Sequence, residues 1–364
     1  MKVSDYVARY LAAQGVKQVY EVAGGMITRL VDSIYTQGEI KLVSMHHEQA
    51  AAFAAEVSGR MTRVPGVAMA TSGPGAINLL TGAGSAYFDS APAIYITGQV
   101  NTDELKGERD IRQLGFQEAD IVSMSRPIMK GVWQILTAEQ VPGVLSEAHQ
   151  LSLSGRPGPV LIDIPMDIQR AEIDVPAPEK ETIPQGSIVD DSDIDALLAA
   201  LRKASRPLIL VGGGIRASGA VELFRRLAAR VGIPVVYSLM AVDVLPSNNP
   251  LRVGLIGTYG NRWANLALSQ ADFLLVLGSR LDIRQTGADP QAFKGERQIY
   301  HVDCHAAEIN NRVNGCVSIV GHLYEFLRQA LEKCEKQSFD SRNDWLNCIE
   351  SLKRKYPDTA ELNY

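Results

Sequence analysis

The sequence predicts an α/β protein built from two doubly wound, mainly parallel sheets. Three observations carry this. Short apolar segments rich in β-branched residues alternate with helical segments along almost the whole chain, which implies parallel βαβ units covered by helices on both faces. The 364 residues exceed what one ordinary core accommodates. The rhythm breaks between Ala171 and Asp191, where Pro176, Pro178 and Pro184 stand among acidic and small residues, a composition suited to an interdomain connector. The expected division is a first domain over 1–170, a connector over 171–190, a second domain over 191–335 and a further connecting stretch over 336–364.

The first segment, MKVSDYVARYLAAQGV, reads as an amphipathic helix rather than a signal peptide, because its charges are spread through it. Strands are expected at VKQVYEV, KLVSM, GVAMATS, APAIYITG and PVLIDIP. Helices are expected at HHEQAAAFAAEVSGR and INLLTGAGSAYFDS. Beyond the break, Asp191–Ser192 forms an N-cap pair ahead of IDALLAALRKA. PLILVGGG is a buried strand running into a glycine turn, followed by helix AVELFRRLAARVG and strands IPVVYS, DFLLVLG and QIYHVD. HLYEFLRQALEKCEKQ and NDWLNCIESLKRKY are helical.

Composition narrows the function. An apolar fraction of 46% with 21% charged residues belongs to a soluble globular chain. A net charge of −5 with no basic stripe gives no reason to expect nucleic acid as a partner, and no apolar run reaches membrane-span length. The four cysteines, Cys304, Cys316, Cys334 and Cys348, form no CxxC pair. That pattern fits a reducing cytoplasm and argues against a disulfide framework or a zinc site.

Five segments carry candidate chemistry. His46-His47-Glu48-Gln49 lies between a strand and an alanine-rich helix. The ordinary reading is a first-turn acid complementing the helix dipole, with Ser44 as cap. The sharper one is a carboxyl desolvated by Ala50–Ala55, held protonated as a hydrogen-bond donor. Thr71-Ser72-Gly73-Pro74-Gly75-Ala76-Ile77-Asn78 follows a strand and puts backbone N–H groups at a helix start, at the sheet edge where parallel sheets bind ligands. A tight βα turn would read the same. Gly115-Phe116-Gln117-Glu118-Ala119-Asp120 is either a pocket-lining loop or a surface helix start. Gly212–Gly219, GGGIRASG, is a glycine turn of the kind that admits a pyrophosphate, without the strict GxGxxG spacing. Gly278-Ser279-Arg280-Leu281-Asp282-Ile283-Arg284-Gln285-Thr286-Gly287 sets two arginines at a strand's carboxyl end, suited to an anion or to a structural Arg–Asp pair.

Taken together these segments resemble the thiamine-diphosphate enzymes, most of all the acetohydroxyacid (acetolactate) synthase large subunit. HEQAAAFAAEVSGR, PGVAMATSGPGAINLLTGAGSAYFDSAPAIYITGQV, FQEADI and GRPGPVLIDIPMDIQ come in the order of that family's pyrimidine-binding domain. IPVVYSLMAVDVLP, NPLRVGLIGTYGNRWANLALSQADFLLVLGSRLDIRQTG and IYHVDCHAAEIN resemble its central, Rossmann-like domain. The resemblance implies that Glu48 is the catalytic glutamate, which hydrogen-bonds the aminopyrimidine ring and favours the tautomer that deprotonates the thiazolium carbon. Cleavage of a 2-keto acid such as pyruvate and transfer of the acyl unit to a second carbonyl follow from that cofactor.

It further implies that Gly24, Gly25, Thr71, Gly73, Pro74, Gly75 and Asn78 line the pyrimidine pocket, with His47 before the glutamate and Phe116 and Gln117 facing the reacting carbon. In the central domain it implies FAD, held by Gly212, Gly213, Gly214, Arg280, Asp282, Arg284, Thr286 and Gly287. Mg2+ with the diphosphate is expected on a further domain, since Gly-Asp-Gly occurs nowhere in the sequence. A homodimer or tetramer in branched-chain amino acid biosynthesis is the implied setting.

Two departures stand out. Glu21 replaces the first glycine of the family's Gly-x-Pro-Gly-Gly loop, so a different accepted substrate is expected. Ile283 replaces the second of two adjacent acids in the central motif. Alternatives are simple 2-keto acid decarboxylation, acetyl transfer to a keto-sugar, and a nucleotide-binding or regulatory module without catalysis.

Overall fold

The computed structural model describes residues 1–182 and 186–358. The chain divides into two compact units, Met1–Pro184 and Gln185–Tyr364. Pro184 of the expected connector and residues 359–364 lie outside the described residues.

The first unit runs α1 (Val3–Ala13), β1 (Gln18–Glu21), α2 (Thr28–Gln37), β2 (Lys41–Ser44), α3 (Glu48–Thr62), β3 (Gly66–Ala70), α4 (Pro74–Asp89), β4 (Ala93–Gln99), α5 (Ile121–Ser125), β5 (Gly131–Gln134), α6 (Gln140–Leu153), β6 (Pro159–Pro165) and α7 (Met166–Arg170). Its six strands are all parallel, in the order β2-β1-β3-β4-β6-β5. Successive strand residues face opposite sides. Val67, Met69, Ile94 and Ile162 therefore build one core with Leu11 and Leu30, while Ala68, Ala70 and Tyr95 build another with the alanines of α3.

Small residues let α3 and α4 press close on that second side. A Cβ on Gly82 would lie 2.5 Å from the Ala52 Cβ, and one on Gly59 would lie 1.9 Å from the Pro92 carbonyl oxygen. The alanine run at 50–55 thus serves helix packing: Ala51, Ala52 and Ala55 are fully buried in this layer.

The second unit runs α8 (Asp191–Lys203), β7 (Pro207–Val211), α9 (Gly214–Ala217), α10 (Val221–Val231), β8 (Val235–Tyr237), β9 (Arg252–Leu255), α11 (Arg262–Gln270), β10 (Phe273–Leu277), α12 (Ile283–Thr286), α13 (Pro290–Lys294), β11 (Gln298–Asp303), β12 (Val317–Val320), α14 (Leu323–Glu335) and α15 (Asn343–Lys355). Its strands are also parallel, in the order β12-β11-β10-β7-β8-β9. Two doubly wound α/β sheets are the fold that the alternation predicts.

Local differences have physical reasons. β5, β9 and β12 are absent from the strands expected above, and each is a short strand at the edge of its sheet. An edge strand buries less, so its apolar signal is weak. α3 is capped by His47, whose Nδ1 accepts from the Gln49 N–H at 3.1 Å, and not by Ser44. Ser44 is turned away to donate to Glu21. α8 is capped one residue earlier than expected, by Asp190 accepting from the Ser192 N–H at 2.8 Å.

Residues 171–182 run beside α1. Val3 N–H donates to the Ala171 carbonyl, Tyr10 Oη donates to Glu181 at 2.8 Å, and Gln14 bonds the backbone of both Glu179 and Glu181. Among the described residues no helix is long and apolar enough to cross a membrane.

Candidate active site

In a doubly wound sheet, ligands bind where neighbouring strands send their following loops to opposite sides. In the first unit β1 lies between β2 and β3, so the loops after β1 and β3 flank that point. They carry Gly24-Gly25 and Thr71–Gly75. The two loops touch without slack: a Cβ on Gly24 would lie 2.5 Å from the Thr71 Cβ, and the Met26 N–H donates to Thr71 Oγ1 at 3.3 Å. Gly25 has open space around it.

Glu48, the first residue of α3, is half-buried beside this junction. Asn78 Nδ2 donates to its Oε2 at 2.9 Å. Its Oε1 hangs over Gly75, where an added Cβ would come within 3.3 Å of that oxygen and 2.8 Å of the Thr71 Cγ2. One carboxylate oxygen is thus fixed by the protein, and the other is directed over a glycine floor. Pro74 opens α4 at a position whose N–H needs no partner. Gly73 takes φ +64°, and a Cβ there would lie 2.9 Å from the Gln117 carbonyl oxygen.

Gln117 itself has φ +59°, a left-handed conformation that costs a non-glycine residue about 1–2 kcal/mol. Phe116 beside it is 73% exposed. This loop borders an open cleft of ≈ 470 Å³ lined by Pro74, Ile77, Lys106, Gln117 and Met124 among others. His46 and His47 are both exposed. Glu48, Asn78, Thr71, Gly24, Gly73, Gly75 and Gln117 therefore converge from four separate stretches of sequence.

Glu21, the acid that stands where the family has a glycine, is turned into the protein. It is 2% exposed, and its carboxyl accepts from Ser44 Oγ across the β1–β2 pair. By strand alternation it shares the face of Val19, which packs with Ile27 and Leu30, away from the alanine layer beneath Glu48.

The second unit offers the same topological feature between β7 and β10. Gly212 and Gly214 pack directly on the β10 loop: their added Cβ atoms would lie 2.1 Å from the Gly278 carbonyl oxygen and 2.8 Å from the Gly278 Cα. Gly213 faces Met240. Arg280 and Asp282 form a half-exposed pair at 3.9 Å, and Asp282 caps α12 by accepting from the Arg284 N–H at 2.8 Å. Arg284 lies over the Tyr259 ring at 5.9 Å. Thr286 accepts from Arg312 Nε at 2.9 Å, and Arg312 also donates to the Gly287 carbonyl. The loop between is pinned by Leu281, which is buried despite a left-handed φ of +52°. Leu239, Tyr259 and Ile283 are large apolar side chains left exposed in the segments that follow β8, β9 and β10.

Residues 1–124 match the family profile "Thiamine pyrophosphate enzyme, N-terminal TPP binding domain", and residues 194–330 match "Thiamine pyrophosphate enzyme, central domain". The chain belongs to the thiamine pyrophosphate enzymes. It is 36% identical over 97% of its length to the probable acetolactate synthase large subunit of Methanocaldococcus jannaschii, covering 60% of that protein. It is 36% identical over 96% of its length to the acetolactate synthase large subunit of Corynebacterium glutamicum, covering 56%. The same protein of Lactococcus lactis is 34% identical over 98% of the chain, with 61% covered. The chain therefore spans about three-fifths of the length of these relatives.

One group of polar residues near this sheet edge escaped the sequence reading. Thr97, Gln99 and Asp163 are fully buried polar side chains at the carboxyl ends of β4 and β6. Burial pushes the Asp163 carboxyl up to about 6, against the opposing effect of hydrogen bonds from Thr97, Gln99 and Gln134. The signal was present: AIYITGQ and PVLIDIP are otherwise apolar strands, and a polar residue on a buried strand asks for a partner.

Proposed function

We propose that this chain provides the pyrimidine side of an acetolactate synthase-like active site, in a thiamine-diphosphate-dependent enzyme that decarboxylates pyruvate and passes the acetyl unit to a second carbonyl. The observation that carries this reading is the asymmetric holding of Glu48. Oε2 is anchored by Asn78, while Oε1 is presented over Gly75 at the sheet's topological switch point. That geometry suits a carboxyl that shares a proton with a flat nitrogen heterocycle laid against the Gly73–Gly75 turn. Thiamine diphosphate supplies, when bound, a nucleophilic carbon and an electron sink for loss of carbon dioxide.

The protein's part is local. Glu48 holds a proton at a ring nitrogen, Asn78 fixes the carboxyl's orientation, and the glycines let the ring approach the backbone. Phe116 and Gln117 border the cleft beside the reacting position. The diphosphate and its Mg2+ are assigned to residues outside the two units described here.

The exposed apolar residues Phe53, Val57 and Met61 recur every four positions on α3, next to Ile77 and Phe88 on α4. Such a stripe on an adjoining helix pair supports an assembled, at least dimeric, enzyme whose subunit contact adjoins the Glu48 site. In the second unit, Arg280 and Arg284 with the exposed Leu239, Tyr259 and Ile283 suit the phosphates and flat rings of FAD, a less specific fit because Gly212 and Gly214 are already filled by Gly278. A yellow protein with flavin absorbance after purification supports that assignment; a colourless one that takes up no added FAD contradicts it.

The activity is tested by incubating the assembled enzyme with thiamine diphosphate, Mg2+ and pyruvate. Release of carbon dioxide together with acetolactate supports the proposal. Carbon dioxide with acetaldehyde alone points to a decarboxylase, and no release from a preparation that binds the cofactor rejects it.

A further inference from the structure

The loop carrying Phe116 and Gln117 is held from below by a buried carboxylate. Asp163, at the end of β6, is 0% exposed and accepts three hydrogen bonds: from Thr97 Oγ1 at 2.6 Å, Gln99 Nε2 at 3.1 Å and Gln134 Nε2 at 3.2 Å. Gln99 is the branch point. Its Nε2 also donates to the Ala119 carbonyl at 2.9 Å, and its Oε1 accepts from the Val100 N–H at 3.0 Å. The Asp163 oxygen orients the Gln99 amide, and the amide pins the loop two residues after Gln117.

The other end of the loop is clamped separately. Glu118 accepts from the Lys106 N–H at 2.7 Å and the Leu114 N–H at 2.8 Å, so its carboxylate is spent on the loop's own backbone. Between these two ties stands Gln117, whose left-handed φ of +59° persists only where its surroundings enforce it. The enforced position has a direct consequence, because the Gln117 carbonyl and Cβ fill the space that a side chain at Gly73 would need.

We propose that Asp163 and Gln99 are positioning residues: through the Ala119 carbonyl they set where Gln117 sits against the Gly73 turn. What the loop does once placed rests on the proposed function; the tie itself stands on the contacts. A polar cluster placed here merely to complete the fold would be equally served by Gln134, which meets the same carboxylate and, among the described residues, makes no bond to the loop. That difference separates the two roles.

The test is hydrogen exchange of the full chain, read at the amides of Gly115 and Glu118, whose bonds close the loop. Gln99→Met keeps the volume and removes the bridge; Asp163→Asn turns one acceptor into a donor facing other donors; Gln134→Met is the control. Losing one such buried tie is expected to speed loop exchange about five- to tenfold in Gln99→Met and Asp163→Asn, while the control stays within about twofold. Loop exchange unchanged in Gln99→Met, or raised equally in Gln134→Met, overturns the proposal. Should Asp163→Asn fail to fold, the comparison of the two glutamine variants still decides it. In the assembled enzyme, kcat with pyruvate should fall in Gln99→Met with its thermal midpoint near that of Gln134→Met; equal kcat in the two overturns the positioning role. No turnover by the unsubstituted enzyme would remove the proposed activity, and the exchange comparison would still judge the tie.

Discussion

The buried carboxyl of Asp163 makes the stability of the first unit depend on pH in a defined direction. In the unfolded chain this group loses its proton near 3.8, and in the folded chain burial raises that value to about 6. Between those values the folded state holds one proton more than the unfolded state. The group's stabilising contribution is therefore complete below about 3.8 and declines as pH rises through 6. A displacement from 3.8 to about 6 corresponds to ~3 kcal/mol at neutral pH. Asp163→Asn cannot titrate, so the stability of the parent minus that of the variant should fall by about 2.4 kcal/mol between pH 4 and pH 7.5, other groups cancelling in the difference. Urea unfolding followed by Trp133, which lies on β5 beside Gln134, reads this unit once Trp263 and Trp345 are replaced by Phe. A difference that stays constant across that range would show that burial does not raise the Asp163 carboxyl.

Three further outcomes follow from the packing. Gly75→Ala should be nearly neutral for folding, since the ~1 kcal/mol gained in helix propensity offsets part of the crowding, yet it should weaken thiamine diphosphate binding at least about tenfold by pushing Thr71 and Glu48 aside; a thermal scan reads the fold and titration calorimetry on the assembled enzyme reads the affinity. Gly59→Ala places a methyl group 1.9 Å from the Pro92 carbonyl oxygen and should cost roughly 3 kcal/mol, seen as a lower thermal midpoint. Val57→Glu, on the exposed face of α3, should leave the midpoint of the isolated chain within a few degrees and shift assembly toward monomer in sedimentation velocity.

Much of the fold was legible because parallel strands buried on both faces are continuous apolar runs. PVLIDIP and QIYHVD form the full spans of β6 and β11. Edge strands GVWQ and VSIV were not legible, because the first is half-buried throughout and the second mostly exposed, so neither carries a clear period. The candidate residues that the first unit brings together could be named from order and resemblance, but their contacts could not. Sequence suggested that alanines dry Glu48; the structure uses them to seat α3 against α4, and leaves Glu48 half-buried with Asn78 as its anchor. Glu21 stood out as an acid in place of a family glycine, and strand alternation turns it to the face of Val19. Strand parity was readable in advance, whereas the partner across β2 was not. The Asp163–Gln99 tie joins residues 64 positions apart, a separation that only the strand order β4-β6 brings together.

The role proposed for Glu48 is to manage a proton at the cofactor ring. Its measure is the rate at which the thiazolium carbon proton of bound thiamine diphosphate exchanges with deuterated solvent, followed by quenched-flow NMR on the assembled enzyme and on Glu48→Gln at equal cofactor occupancy. General acid–base catalysis of this kind predicts a drop of about 100-fold or more in the variant. Exchange within a factor of about two of the parent, with the cofactor bound, would contradict it.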